Sequence, residues 1–261
     1  MTESELYDFL EGNYMQFNRP DFITNDPISI PHQFSKKQDI EIAGFLTATL
    51  AWGQRSLILK SANNLMERMD YAPLDFIKNH TKKDLIKFRG FKYRTFNEID
   101  CLFFIQSLQN IYKKHESLEN VFIGDDIRSA ILHFRNIFFS IKHPPRTQKH
   151  ISSPPLKSKL NGSACKRLNM FLRWMVRDDK RGVDFGIWKN IYPKDLLCPL
   201  DIHSGNTARE LGLLSRKQND WRSVEELTSR LKRFDKNDPA KYDFTLFGLG
   251  VLKKQKALSI Y

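Results

Sequence analysis

Long apolar runs are absent from the chain. The longest, such as Leu102–Ile105, fall far short of the ~18 residues that would span a bilayer. A secretory signal or transit peptide begins with a basic patch followed by an apolar block. The first residues, Met1–Glu11, contain acids and have no such block. We therefore expect a cytoplasmic protein with no membrane association.

Cysteine is scarce, and the usual motifs for metals and phosphates are missing. Three widely spaced cysteines exclude a four-cysteine iron–sulfur cluster and favour reduced thiols over a disulfide framework. The seven histidines include no His-x-x-x-His pair with a nearby acid, and Cys165, Cys198 and His203 do not have the spacing of a common zinc site. Gly248-Leu249-Gly250 is too short for a phosphate loop and lacks a following Lys-Ser or Lys-Thr. We expect no metal and no cofactor.

Acidic residues are missing between Asp126 and Asp178, although the chain as a whole has 30 acids against 42 bases. This stretch holds eleven lysines and arginines: Arg128, Arg135, Lys142, Arg146, Lys149, Lys157, Lys159, Lys166, Arg167, Arg173 and Arg177. A one-signed stretch of this length is suited to neutralising the phosphates of a nucleic acid. A solvated face without a partner is the alternative.

Period-2 alternation and Asn-Gly hairpin signals are also absent, whereas apolar residues recur at helical spacing. We predict an all-α protein with helices at 39–52, 56–69, 97–113, 127–141, 165–177, 204–211, 224–232 and from 243 to about 254. Pro144-Pro145 should stop the helix that begins near Ile127, and the polar stretch from His143 to Ser153 should be an exposed loop. We expect one bilobal domain over residues 1–261, with a weak lobe boundary near 143–155.

The strongest local signal is the run from Leu160 to Lys166, followed by an amphipathic helix. Gly162 permits a tight turn, which would leave backbone N–H groups at a helix N-terminus for a DNA phosphate. An ordinary helix–turn–helix connection is the alternative. The helix dipole and partial burial beside Met170 and Phe171 should lower the pKa of Lys166, and a neutral lysine is the nucleophile that a Schiff base requires. A lysine that only contacts phosphate remains possible.

Pro199-Leu200-Asp201-Ile202-His203 places a carboxylate 35 residues after Lys166, at the start of a predicted helix. Asp201 can serve as the N-cap of that helix. A carboxylate held near an amine can also take its proton and can stabilise positive charge on a sugar as a glycosidic bond breaks.

These residues resemble the helix-hairpin-helix DNA glycosylase superfamily. Leu160–Lys166 is similar to its hairpin, usually Leu-Pro-Gly-Val-Gly-x-Lys, and Pro199–His203 resembles its Val-Asp-x-His element. The resemblance implies a bilobal helical fold with the motif at about 156–177. It also implies that Lys166 attacks the sugar C1′ and that Asp201 assists base removal and strand cleavage by β-elimination. The implied DNA-backbone contacts are Asn161, Gly162, Ser163, Ala164, Arg167 and Arg94.

Two further segments resemble the 8-oxoguanine branch of that superfamily. Gly90–Arg94 is similar to its Gly-x-Gly-Tyr-Arg segment, which opens a helix, although a basic surface turn is the alternative. Asp243 and Phe247 lie one helical turn apart, like the residues that grip the flipped base in that branch. A flipped purine would stack between Met170 and Phe247; packing of these side chains in the core is the alternative. The implied substrate-binding residues are Gly53, Gln54, Met170, His203, Asp243 and Phe247.

The chain departs from the superfamily pattern, because Asn161 and Ala164 replace the usual proline and second glycine. As a whole it is more similar to an uncharacterised bacterial family known only as a domain of unknown function, so its substrate need not be 8-oxoguanine. The leading hypothesis is a monomeric, nucleoid-associated DNA glycosylase with AP lyase activity. Its partner would be double-stranded DNA with an oxidised purine or an abasic site. The alternatives are a non-catalytic DNA- or RNA-binding hairpin protein, and a binder of RNA or protein through the loop from His143 to Lys159.

Overall fold

The computed structural model describes residues 1–156 and 162–258, and most of them lie in helices. The α-helices are α1 (Glu3–Phe17), α2 (Lys37–Leu50), α3 (Arg55–Arg68), α4 (Pro73–Asn79), α5 (Glu98–Tyr112), α6 (Ile127–Phe138), α7 (Lys166–Val176), α8 (Ile202–Glu210), α9 (Trp221–Leu231) and α10 (Asp243–Leu258). The predicted all-α class is confirmed at this level. In the described ranges, no helix combines the length and hydropathy of a membrane span.

Short 3-10 helices connect many of these elements. They are Pro20–Asn25, Pro27–Ser29, Pro31–Gln33, Asp84–Phe88, Leu118–Val121, Pro145–His150, Pro193–Asp195 and Pro239–Tyr242. Six of the eight begin at a proline. Proline suits this position because its fixed φ matches the first helical residue and its missing N–H would have no helical acceptor there.

Gly90–Arg94 does not open a helix as the resembled segment does; it enters a small hairpin, which agrees with the alternative of a basic surface turn. Strand β1 (Lys92–Tyr93) pairs antiparallel with β2 (Phe96–Asn97), and the turn is made by Arg94 with a φ of 53°. Helix α5 begins only after β2, where the Asn97 side chain accepts hydrogen bonds from the N–H groups of Ile99 and Asp100.

The described chain divides into two compact units. Unit 1 comprises Met1–Phe22 and Pro154–Tyr261, with α1 and α7 to α10; unit 2 comprises Ile23–Ser153, with α2 to α6 and the hairpin. The chain therefore passes between units twice, and the second passage falls within the 143–155 stretch. Each unit has its own core.

In unit 1, α10 packs against α1 and α8, and two glycines allow the close approach. A Cβ atom on Gly248 would lie 2.6 Å from the Phe17 ring, and one on Gly250 would lie 2.9 Å from the His203 Cβ. The core of this unit includes Leu10, Ala164, Cys198, Leu200, Ala208, Leu213, Leu214, Val224, Leu227, Leu231, Tyr242 and Leu246.

In unit 2, α2 is buried along nearly its whole length and packs on an aromatic cluster. Phe45 stacks on Phe104 at 5.9 Å and contacts Phe134 edge-on at 5.4 Å. The buried Glu41 carboxylate accepts hydrogen bonds from the Tyr112 hydroxyl at 2.8 Å and the Leu118 N–H at 3.0 Å. These donors replace the water that a buried carboxylate loses.

The stretch from His143 to Ser153 is not the exposed loop that was predicted. It contains the 3-10 helix Pro145–His150, and Thr147 and His150 are buried. Both side chains contact the fully buried carboxylate of Asp100, Thr147 by a 2.8 Å hydrogen bond and His150 through Nε2 at 3.2 Å. Helix α6 ends at Phe138, before the Pro144-Pro145 pair that was expected to stop it.

Candidate functional site

Two backbone features shape the turn that precedes α7. A Cβ atom on Gly162 would lie 2.3 Å from the backbone nitrogen of Pro155, so the close approach requires glycine. The left-handed residue is Cys165, with a φ of 47°, a conformation that costs an L-residue roughly 1–2 kcal/mol. Glycine is therefore required at position 162 because a side chain would clash with Pro155. The turn does not use the conformational freedom that was expected of Gly162.

The turn is tied to α9 and to itself. The Trp221 N–H donates to the Gly162 carbonyl at 3.1 Å, and Ser163 forms a β-bridge with Asp220. The Cys165 N–H donates to the Ser163 hydroxyl at 3.1 Å, so this amide is satisfied within the turn. Ala164 is buried in the core, whereas Ser163 is exposed.

Only part of the predicted helix-hairpin-helix motif falls on described residues. The second helix is α7, and residues 151–156 contain no helix. Asn161 lies outside the described residues, as do 157–160. Arg167 in the first turn of α7 is half-buried, and burial lowers the pKa of its guanidinium. The motif and its phosphate contacts stay predictions.

Lys166 is the first residue of α7, and its side chain runs over the buried Met170. Helix α7 buries the nine residues from Leu168 to Val176, which fixes its orientation in unit 1. The Lys166 Nζ lies 3.5 Å from the Met170 Sδ, one helical turn along. The lysine side chain is 26% exposed, so it is accessible to a reactant from solvent.

Asp201 is the N-cap of α8, as one of the two interpretations expected. Its Oδ1 accepts hydrogen bonds from the His203 N–H at 2.8 Å and the Ser204 N–H at 3.0 Å. The Ser204 hydroxyl accepts in return from the Asp201 N–H at 2.9 Å, which completes a capping box. The Asn219 amide donates to the Asp201 carbonyl at 2.9 Å and holds the backbone as well.

The second oxygen of Asp201 faces the lysine. Its Oδ2 lies 3.9 Å from the Lys166 Nζ, and both side chains are 26% exposed. The cap therefore uses one carboxylate oxygen and leaves the other beside an accessible amine. Such a pair can exchange a proton within the site and keep the amine oriented towards solvent.

A buried ionic network lies behind this pair. Asp243, the first residue of α10, pairs with Arg173, whose Nε is 3.3 Å from Asp184 Oδ1. Arg177, the C-cap residue of α7, pairs with Asp184 and with Asp238 Oδ2 at 2.8 Å. Burial raises the pKa of Asp243 to about 6, although the charges of Arg173 and Lys166 oppose the shift. The charge of Asp201 raises the pKa of Asp243 further, so this pKa depends on the charges of both Lys166 and Asp201.

The predicted base-binding residues of unit 1 are half-buried or buried. The Asp243 carboxylate is held by Arg173, so bonding to a base would require this pair to open. Phe247 is half-buried and contacts Phe22 edge-on at 6.5 Å. His203 is half-buried beside Gly250. Ile202, which the sequence argument did not single out, is 70% exposed next to Asp201.

The other predicted site residues lie in unit 2, around the hairpin. The Arg94 guanidinium stacks on the Trp52 ring at 4.2 Å, and the Tyr93 hydroxyl donates to the Trp52 carbonyl. A Cβ atom on Gly53, whose φ is 110°, would lie 2.6 Å from an Arg94 nitrogen. Gly53, Gln54 and Arg94 are exposed, so the structure brings Arg94 together with the Trp52–Gln54 turn.

The described part of the basic stretch from Arg128 to Arg177 is not a continuous charged surface, because some of its bases are buried. Arg173 and Arg177 are buried, and Arg135 bonds to the Ile151 carbonyl. Among the nine bases of this stretch that are described, the exposed ones are Lys142, Arg146 and Lys149. Sequence alone misplaced the buried arginines because their partners lie as far as 70 residues away.

The chain matches, over residues 26–252, the family model described as "Protein of unknown function (DUF2400)". It belongs to this family. No curated protein and no solved structure shows significant similarity to it. Membership in DUF2400 confirms the predicted match to a family of unknown function, and the matched range contains both Lys166 and Asp201. The glycosylase superfamily stays a prediction.

Proposed function

We propose that this DUF2400 protein is a DNA glycosylase with AP lyase activity that removes an oxidised purine from double-stranded DNA. The observation that supports it is the approach of Asp201 Oδ2 to within 3.9 Å of Lys166 Nζ. Two residues separated by 35 positions in sequence meet at the partly exposed start of two helices. Schiff-base chemistry requires an accessible amine as nucleophile, and a neighbouring carboxylate can accept the proton of that amine.

In the proposed reaction, Asp201 accepts a proton from Lys166, and the neutral amine attacks C1′ of the damaged nucleotide. The bond between C1′ and the base breaks, and the base leaves with the electron pair and takes up a proton. The Lys166 nitrogen then gives up one proton, the C1′–O4′ bond breaks, and O4′ leaves with the electron pair and takes up that proton, which gives a protonated imine on Lys166. Loss of a C2′ proton expels the 3′ phosphate, and water hydrolyses the imine and restores the lysine. No metal or cofactor takes part in these steps.

The damaged base would have to leave the duplex before Lys166 can reach its sugar. We place the flipped base near Met170 and Phe247, with Asp243 as its polar partner once the pair with Arg173 opens. The lesion that we propose is an 8-oxoguanine-like purine, which is what the resemblance in sequence implies. The backbone contacts would come from Gly162 to Ala164, with Arg167 and Arg94.

The test is borohydride trapping on duplexes that contain 8-oxoguanine or an abasic site, because hydride reduces the imine to a stable amine. Wild type should form a covalent adduct, and Lys166→Gln should form none. Lys189→Gln is the matched control: it removes another unit 1 lysine that pairs with an aspartate, at 3.7 Å from Asp178, but at a 71% exposed position. This variant should trap DNA like wild type.

Duplex binding, measured in parallel, separates the outcomes. If Lys166→Gln traps as well as wild type, the nucleophile is another residue. If wild type binds duplex DNA yet forms no adduct with either substrate, the protein is a binding module or a glycosylase that does not use a lysine. If it does not bind DNA, the proposed function is wrong.

A further inference from the structure

A second basic stretch, Lys78 to Arg94 in unit 2, extends well beyond the predicted contact at Arg94. It contains seven lysines and arginines against one acid, Asp84, a local surplus of +6. All seven are exposed: Lys78, Lys82, Lys83, Lys87, Arg89, Lys92 and Arg94. In the stretch between Asp126 and Asp178, by contrast, three of the nine described bases are exposed. We call Lys78 to Arg94 the basic segment.

The basic segment is anchored by its apolar residues, which leaves its charges in solvent. Phe88, Phe91 and Tyr93 are buried and alternate with the exposed bases. The Arg68 guanidinium binds the carbonyls of Lys87 and Arg89, and the Gly90 N–H donates to Glu98 at 2.8 Å. Hydrogen bonds to carbonyl groups and to an N–H group therefore hold the backbone in place, and the exposed bases extend from a fixed backbone.

Nearby carboxylates neutralise little of this charge. Asp70 pairs with Lys87, Asp84 binds the Thr81 N–H at 2.8 Å, and Glu98 binds Gly90. Within the described part of the chain, no carboxylate lies within ion-pair distance of the remaining bases of the segment, namely Lys78, Lys82, Lys83, Arg89, Lys92 and Arg94. Unpaired exposed bases on an anchored backbone can bind phosphates without first breaking internal ion pairs.

We propose that the basic segment binds the phosphate backbone of duplex DNA. The aromatic side chains at 88, 91, 93 and 96 are buried, so the segment offers no platform on which single-stranded bases could stack. Ile86, at 60% exposed, is the one large apolar side chain of the segment that is exposed, which is too little for an amphipathic membrane anchor. What remains is a sequence-independent contact with phosphates.

This contact deepens the proposed function, because its ligand is the same duplex DNA, and it does not depend on Lys166. Bases at the opposite end of α5 provide a control for it. The C-terminal part of the basic segment adjoins the start of α5, where Gly90 bonds to Glu98. Lys36, Lys113 and Lys114 lie at the other end of that helix, where Gln38 bonds to the Glu116 carbonyl at 3.2 Å. A 15-residue helix separates the two ends by about 20 Å, roughly twice the Debye length at 0.1 M salt.

The experiment compares two triple variants with the same charge change in duplex DNA binding across a salt series. One is Lys83→Gln, Arg89→Gln and Lys92→Gln; the control is Lys36→Gln, Lys113→Gln and Lys114→Gln. Each lost phosphate contact should reduce the slope of log affinity against log salt by about 0.9, so the first triple should lose about 2 to 3. The control should lose less than about 1.

Equal slope changes in the two triples would overturn the proposal, because net charge alone would then explain binding. So would wild-type slopes in both, or tighter binding of wild type to single-stranded RNA or phosphatidylserine vesicles than to duplex DNA at equal salt. Borohydride trapping by the same proteins keeps the proposals apart. A reduced slope without any wild-type adduct supports the basic segment against the glycosylase; an adduct with unchanged slopes does the reverse.

Discussion

Asp201 combines two roles that two substitutions can separate. Its Oδ1 caps α8 through the N–H groups of His203 and Ser204, whereas Oδ2 lies 3.9 Å from Lys166 Nζ. In Asp201→Asn the amide oxygen can keep the cap, because asparagine is as good an N-cap as aspartate. It would present a neutral NH₂ group to the lysine. In Asp201→Ala both roles are lost.

The expected magnitudes differ accordingly. Asp201→Asn should change the free energy of unfolding by less than about 0.5 kcal/mol, and Asp201→Ala should lower it by about 1 kcal/mol. The alanine variant should therefore melt about 2–4 °C lower. Both variants should form the trapped adduct about 10²- to 10⁴-fold more slowly, which is the usual contribution of a positioned acid–base group.

The assay pairs thermal unfolding with the rate of adduct formation under single-turnover conditions. Asp126→Ala is the control, since Asp126 caps α6 through the same Asp-x-x-Ser capping box in unit 2. It should lose similar stability and keep the wild-type trapping rate. A wild-type rate in Asp201→Asn would refute the reasoning, because Asp201 would then be a cap and nothing more.

Three further predictions concern unit 1 and the thiols. Arg173→Met should lower the free energy of unfolding by about 3–5 kcal/mol in urea titrations, because it strands the buried carboxylates of Asp184 and Asp243; Arg216→Met, which removes an arginine from a solvent-screened pair, should have a much smaller effect. The folded-state pKa of Asp243, raised to about 6, means that folded protein keeps a proton that unfolded chain loses, so stability falls as pH rises from about 4 to 6. The side chain that Asp243→Asn introduces does not titrate, so the free energy of unfolding of the variant should rise relative to that of wild type by about 3 kcal/mol across that range in the same titrations. A difference that stays constant with pH would contradict the assignment. The buried, unbridged Cys101, Cys165 and Cys198 should react with Ellman's reagent only after denaturation, since burial raises the pKa of the Cys101 and Cys198 thiols; fast reaction of the native protein would show that the thiols are accessible.

The sequence predicted the helices that carry strong local signals. Helix α7 has a sharp apolar stripe and α8 has Asp201 as its cap, so both were found within three residues of their ends. Helix α4 was missed because it spans only seven residues and starts at a proline. Helix α1 was also missed, and it buries only Leu10 and Tyr14 of its fifteen residues. Local periodicity is weak in such helices.

The candidate site was predicted in part for a similar reason. Order and spacing pointed to Lys166 and Asp201, which lie together in unit 1. The network behind them was not predictable, because Arg173 and Arg177 have the same side chain as the surface arginines of a basic stretch. Their burial depends on Asp238 and Asp243, which lie more than 60 residues away in sequence. A pattern of charges specifies no such partner.

Mapping the reduced adduct by mass spectrometry tests the central claim most directly. Wild-type protein is trapped on an abasic duplex with borohydride, the DNA is digested, and the proteolytic peptides are sequenced. The proposal predicts that the reduced sugar remnant is attached to Lys166 and that Lys189→Gln gives the same peptide. Attachment to another lysine or to the N-terminal amine, or no attachment at all, would contradict it.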